Sequence, residues 1–116
     1  MISEELKSQI MEVIGKHLEM DRCMVVLFGS EALGKATKRS DIDIGVDCVE
    51  PLSDSIFLEM ERALNEEVDT LKKIDLVELS GLDEDFLLFA LKGAVIWHVG
   101  RDYLRSWIKR KEPTET

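Results

Sequence analysis

Proline, cysteine and glycine are scarce in this chain: two, two and seven among 116 residues, with aromatic residues at 6%. So little Pro and Gly excludes collagen-like and low-complexity sequence, and 45% hydrophobic residues excludes a disordered chain. Cys23 and Cys48 are too few for a disulfide framework, and no C-x-x-C spacing marks a zinc site. Both read as small core residues, which fits a reduced compartment. Long apolar runs are also missing: the longest, Cys23 to Phe28 and Phe86 to Leu91, fall far short of the roughly 20 residues that cross a bilayer. Met1 to Glu5 has neither the basic nor the apolar region of a leader sequence. A soluble, cytoplasmic protein without a membrane partner is expected.

Basic charge is in deficit as well. Fifteen Lys and Arg against 24 Asp and Glu leave a net charge of -9, which repels a phosphate backbone and argues against a DNA- or RNA-binding module. The local exception is Arg101, Arg105, Lys109, Arg110 and Lys111 against the single acid Asp102, a basic, aromatic end with Tyr103 and Trp107. It reads first as solvated helix surface, then as a protein contact, ahead of nucleic acid.

At this length one hydrophobic core is expected, a single domain over residues 1–111 with a disordered polar tail over 112–116. Ser3 is placed to cap a helix over about 4–19, where Ile2, Leu6, Ile10, Val13, Ile14 and Leu18 recur at helical spacing. Cys23 to Phe28 is a continuous apolar run ended by Gly29, as in a central strand buried on both faces. From Asp41 to Cys48 the alternation puts Asp41, Asp43, Gly45 and Asp47 on one face and Ile42, Ile44, Val46 and Cys48 on the other. A cap at Ser53 or Asp54 opens a helix to about residue 70, its stripe running on to Val68 and Leu71. Lys73 to Leu79 is β-rich, Asp83 caps a short apolar helix to about Lys92, Ala94 to Val99 is a brief strand, and a last amphipathic helix carries Tyr103, Leu104, Trp107 and Ile108. The class is α/β.

Asp41 and Asp43 stand at i and i+2 on a strand, about 6.6 Å apart along the chain and on the same face. Carboxylate oxygens that converge to about 4 Å repel by roughly 4 kcal/mol at an effective dielectric near 20. Proton uptake, a cation or splaying into water relieves this. A divalent ion is the simplest answer, because magnesium binds through one or two carboxylates plus substrate phosphates. The plain alternative is a solvated strand face, and Asp47 is read that way.

Ten residues separate Asp41 from Gly29-Ser30, which stands at the end of the buried strand. Glycine lets a backbone approach a phosphate, serine adds a hydroxyl or caps the helix that follows, and Lys35, Lys38 and Arg39 put positive charge in the connection. Gly29 to Lys35 also fits the G-x-x-x-x-G-K of a Walker A loop. Ala36, however, stands where Ser or Thr would hold magnesium, and the next strand follows too soon for a crossover helix. His17 and His98 receive no catalytic role.

The arrangement G-S, ten residues, D-x-D resembles the polymerase-beta-like nucleotidyltransferases and, in detail, their minimal nucleotidyltransferase (MNT) branch, at Gly29, Ser30, Ala32, Gly34, Ser40, Asp41, Ile42 and Asp43. The element order over about residues 4–79 is similar to that family's core, which implies a small mixed sheet flanked by helices. The resemblance further implies a third carboxylate from a later strand, matched by Asp75 in Lys-Ile-Asp-Leu-Val. It places Gly29, Ser30, Ser40 and Lys35 on a nucleoside triphosphate and Asp41, Asp43 and Asp75 on magnesium, as a pair of ions. Asp75 would also help activate the acceptor hydroxyl. One departure is Leu33, where the family often has Arg or Lys in G-S-x-A-[RK]-G, so that contact is missing or comes from Lys35, Lys38 or Arg39.

Small MNT proteins are commonly paired with a HEPN-type ribonuclease toxin and adenylylate a tyrosine hydroxyl on it. The resemblance thus implies an antitoxin using ATP, with a HEPN partner and a homo- or hetero-oligomeric state left open. A binding-only antitoxin and a transferase acting on a small molecule are the alternatives.

Overall fold

The structure, a computed structural model, describes residues 2–111, so the expected disorder of 112–116 lies outside the described residues. Helix α1 spans Glu4–His17, and Ser3 caps it by accepting a hydrogen bond from the Leu6 N–H at 3.1 Å. Strand β1, Cys23–Phe28, runs directly into the single-turn helix α2, Gly29–Ala32. Strand β2 follows at Ile42–Cys48, then α3 at Asp54–Glu67, β3 at Ile74–Glu78, α4 at Glu84–Leu91, β4 at Val95–Val99 and α5 at Arg101–Lys111. Ser53 and Asp83 cap α3 and α4 as expected. Helix α3 ends three residues earlier than the hydrophobic stripe suggested. Val68 still packs into the core, whereas Leu71 lies wholly in solvent.

The sheet order is β3-β2-β1-β4, so the apolar β1 is an interior strand, as its sequence demanded. It pairs antiparallel with β2 and β4, while β2 pairs parallel with β3 across the α3 crossover. The sheet is therefore mixed. Helices α1 and α3 cover one face, where Ile10, Ile14, Met60 and Leu64 meet Val25, Ile42, Ile44, Val46 and Ile74, all fully buried.

The opposite face is less uniform than an alternation of Asp and Gly suggested. At its middle, Gly45 lies under Leu79: a β-carbon on Gly45 would sit 2.9 Å from the Leu79 side chain and 3.0 Å from Val26. At its far end Asp47, expected to be simply solvated, accepts a hydrogen bond at 2.6 Å from the hydroxyl of Tyr103, which α5 buries there. Tyr103 thus belongs to the interior and not to a basic contact surface. At the near end of this face, Asp43 and Asp75 stay partly exposed.

The cysteines also depart from expectation. Cys23 and Cys48 are register partners at the other end of the β1–β2 ladder, with Cα atoms 4.0 Å apart, and their sulfurs are joined in a disulfide. Arg22 and Val49, the next pair outward, share a backbone hydrogen bond, which makes the cysteines a non-hydrogen-bonded pair, the closer of the two kinds. Both do pack against the core as read. What counting cysteines missed was the pairing of two distant residues by strand register.

Candidate active site

The site is assembled at the C-terminal end of β1 and the N-terminal ends of β2 and β3. Phe28, the last residue of β1, is the register partner of Asp43, and Asp43 is in turn the register partner of Asp75. Neighbouring strands lie about 4.8 Å apart, and register partners project to the same face. Two carboxylates 32 positions apart in the chain are thereby set side by side. Asp41 precedes β2 by one residue and is half-buried, as is Asp43.

Gly29 closes over Asp43. Its φ of +72° falls in the left-handed region, and a β-carbon there would lie 2.2 Å from Oδ2 of Asp43. Both the backbone conformation and the close approach require glycine. The next residue, Ser30, is half-buried, and its hydroxyl hydrogen-bonds to none of the described residues. The G-S step and the D-x-D pair, ten residues apart in sequence, are in contact in the fold.

Electrostatics follow from this crowding. Burial, and then the negative charges of Asp75 and Asp41, push the carboxyl of Asp43 above the usual carboxylate range. Lys73 offsets part of the negative charge: its Nζ lies 3.1 Å from Oδ1 of Asp75, and that hydrogen bond and charge raise the lysine's own pKa. In this arrangement no three acidic, histidine or cysteine side chains among the described residues form a ready metal cage. The donor set nevertheless fits a hard cation: carboxylate oxygens only, from Asp41, Asp43 and Asp75, one of them reluctant to ionise without a neighbouring positive charge. Lys73, on the surface, can yield its place on Asp75.

Of the other expected site residues, Ser40 is engaged locally, its Oγ accepting the Thr37 N–H at 2.8 Å and thereby shaping the turn before Asp41. Lys35 is exposed and lines a cavity that begins at Gly29. Leu33 is half-exposed and leans on Gly93, within 2.5 Å of where a β-carbon of that residue would be.

Three residues that shape the site escaped the sequence reading. Glu31, in α2, is buried and forms an ion pair with Lys72 at 2.7 Å, while the same ammonium donates to the Thr37 carbonyl at 2.8 Å. Burial alone would raise the Glu31 pKa, but the Lys72 hydrogen bond and charge contribute to holding it below the ordinary value. Lys72 thus ties the G-S turn and the loop before Asp41 to the approach to β3. Asn65 does the same for β3: its side chain donates to the Ile74 carbonyl at 2.9 Å and accepts the Ile74 N–H at 2.8 Å, one residue from Asp75. A charged residue in a mostly polar loop and an Asn in a helix carry no local mark of such roles.

Known proteins share this architecture. A protein of Methanocaldococcus jannaschii, MJ0126, whose name ascribes to it, without asserting proof, protein adenylyltransferase activity, is 27% identical over 95 residues, 78% of this chain and 95% of the relative. A chain of a toxin-antitoxin crystal structure with AMP-PNP superimposes with a TM-score of 0.69 at 23% identity, over 92% of this chain and 83% of that one. A chain from a complex of tri-AMPylated Shewanella oneidensis HEPN toxin with MNT antitoxin gives 0.64 at 16% identity, over 91% and 84%. At these identities the two structures establish a common fold. Residues 8–101 match the family model described as polymerase beta, nucleotidyltransferase. Because that match runs from within α1 to the first residue of α5, and so takes in the whole sheet and every candidate carboxylate, the chain belongs to the polymerase beta nucleotidyltransferase family.

Proposed function

We propose that this protein is an antitoxin that transfers AMP from ATP, with magnesium, to a hydroxyl on a partner protein, a tyrosine of a HEPN-type ribonuclease toxin. The observation that carries the reading is the contact of Gly29 with the Asp43 carboxylate, beside Asp75 on the adjacent strand. A phosphate-binding turn and a paired acidic site have no reason to be pressed together in a merely solvated strand face. The relative with a protein adenylyltransferase name and the neighbours from toxin-antitoxin complexes favour a protein acceptor over a small molecule.

In this reading the Gly29-Ser30 turn, with Lys35, orients the triphosphate. Asp41, Asp43 and Asp75 would hold magnesium, which when bound supplies positive charge to the phosphate oxygens. The acceptor oxygen attacks the α-phosphorus in line, its bond to the oxygen bridging to the β-phosphorus breaks, and pyrophosphate leaves. Asp75 takes the hydroxyl proton, a role that requires its carboxylate to leave Lys73.

Labelled ATP, magnesium and a HEPN partner test this directly. Label should appear on the partner and vanish with Asp41→Asn or Asp43→Asn. If the toxin is inhibited equally well by those variants, the protein acts by masking its partner, a reading for which Leu33, turned to an apolar neighbour in place of a basic triphosphate contact, is the supporting observation.

A further inference from the structure

We infer that the apolar pocket beside Gly29 is the subsite for the nucleobase, an inference that rests on the nucleotide-transfer reading above. A cavity of about 630 Å³ opens where β1 ends, walled by Phe28, Leu33, Phe86 and Phe89, with Lys35 and Lys92 also on its lining. Ligand pockets for small molecules fall in this size range. Phe28 is the register partner of Asp43, so the pocket starts on the strand next to the one that carries Asp43, about 4.8 Å away between backbones. Gly29 belongs to both.

Two features select the occupant. Phe86 and Phe89 stand three residues apart on α4, hence on one side of it, and are 52% and 76% exposed. Two large rings left in water at the mouth of a cavity offer flat surfaces for stacking. Lys35 and Lys92 form no ion pair with any described carboxylate, although the chain carries a net charge of -9 and acids are plentiful. The pocket therefore suits a ligand with a flat apolar body and a negative charge, whereas an apolar peptide segment would have no use for the lysines. A nucleotide meets both demands, with its base on the phenylalanines and its phosphates toward Gly29 and Ser30. Leu33 then contributes apolar wall to the base instead of charge to the phosphates.

The wall presents no side-chain amide, hydroxyl or carboxylate to read a base edge. Recognition is consequently by stacking, tolerant of base identity, with purines favoured by their larger faces.

Calorimetric titration of the intact protein in magnesium with ATP, GTP and inorganic tripolyphosphate tests the assignment. Phe89→Ala should weaken ATP and GTP about tenfold, the order expected of one base-aromatic stack, with the two nucleotides within about threefold of one another in the wild type. Tripolyphosphate affinity should not change, and Phe89→Tyr should restore ATP binding. Phe89 is mostly in water, so the fold should survive; an unchanged melting temperature checks this, and Phe86→Leu repeats the test from the other ring. Unaltered ATP affinity in both phenylalanine variants overturns the base subsite while nucleotide transfer stands, and a raised KM for the protein acceptor alone would give the pocket to the acceptor. A strong preference for one purine overturns recognition by stacking. A wild type that binds neither ATP nor tripolyphosphate overturns the nucleotide reading itself.

Discussion

Gly29 and Asp43 bring the G-S turn and the D-x-D strand of the candidate site against one another. Gly29→Ala meets two obstacles at once, a left-handed φ and the Asp43 oxygen 2.2 Å from the new carbon. Backbone strain of that kind costs about 1–3 kcal/mol, so the variant should unfold at lower urea concentration and lose AMP transfer. Asp43 has the opposite effect on stability. A carboxyl whose pKa is raised by folding stabilises the protein fully below its ordinary value and loses that contribution as pH rises through the folded value. At pH 7 the ionised group opposes the fold. Asp43→Asn should therefore melt a few degrees above the wild type at pH 7, with the gap closing below the ordinary carboxylate range, while transfer is abolished. Millimolar magnesium should raise the wild-type melting temperature and leave that of Asp43→Asn unmoved.

Among the elements, the loops around the site are held by residues that touch no ligand in the proposed reaction. Lys72→Met removes from the buried Glu31 carboxylate the ion pair that joins it to the approach to β3. The expected loss is about 2–3 kcal/mol at pH 7, below the full cost of breaking a buried pair because the Lys72 side chain is 24% exposed. Glu31 has a net lowered pKa, so the stability it contributes is present above its ordinary value and is lost as pH falls through the folded one. The deficit of Lys72→Met should thus shrink toward pH 4 in urea denaturation. Most of these elements were legible in advance: apolar runs and periodicity located every strand and every helix but the single-turn α2, since burial on one or two faces leaves its mark residue by residue. That the G-S and D-x-D pieces meet was legible for a related reason, because the resemblance rests on residue types at fixed spacing. Glu31, Lys72 and Asn65 were not, since a long-range pair leaves no period and no spacing. The tyrosine on Asp47 and the leucine over Gly45 were hidden in the same way, by partners that arrive from 56 and 34 residues downstream.

At the scale of the whole molecule, the β1–β2 ladder has the disulfide at one end and the site at the other. Five residue steps along the antiparallel strand separate Cys23 from Phe28, about 17 Å. Closing a loop across 25 residues restricts the unfolded chain, for about 3 kcal/mol of stability in the chain-entropy account. Reductant should lower the denaturation midpoint of the wild type and not that of the double variant Cys23→Ser/Cys48→Ser, and AMP transfer should proceed at the same rate in both.

The parallel pairing of β2 with β3 carries a consequence in time. Asp43 can acquire Asp75 as its neighbour only after α3 has been synthesised, has turned back over the sheet and has brought β3 alongside. A ribosome delivers the G-S turn and the first two carboxylates well before the third. A nascent chain halted within α3 has the acidic hairpin without its partner strand, so the complete set of carboxylates comes into being only when the crossover closes, and a truncated product has no means of assembling it.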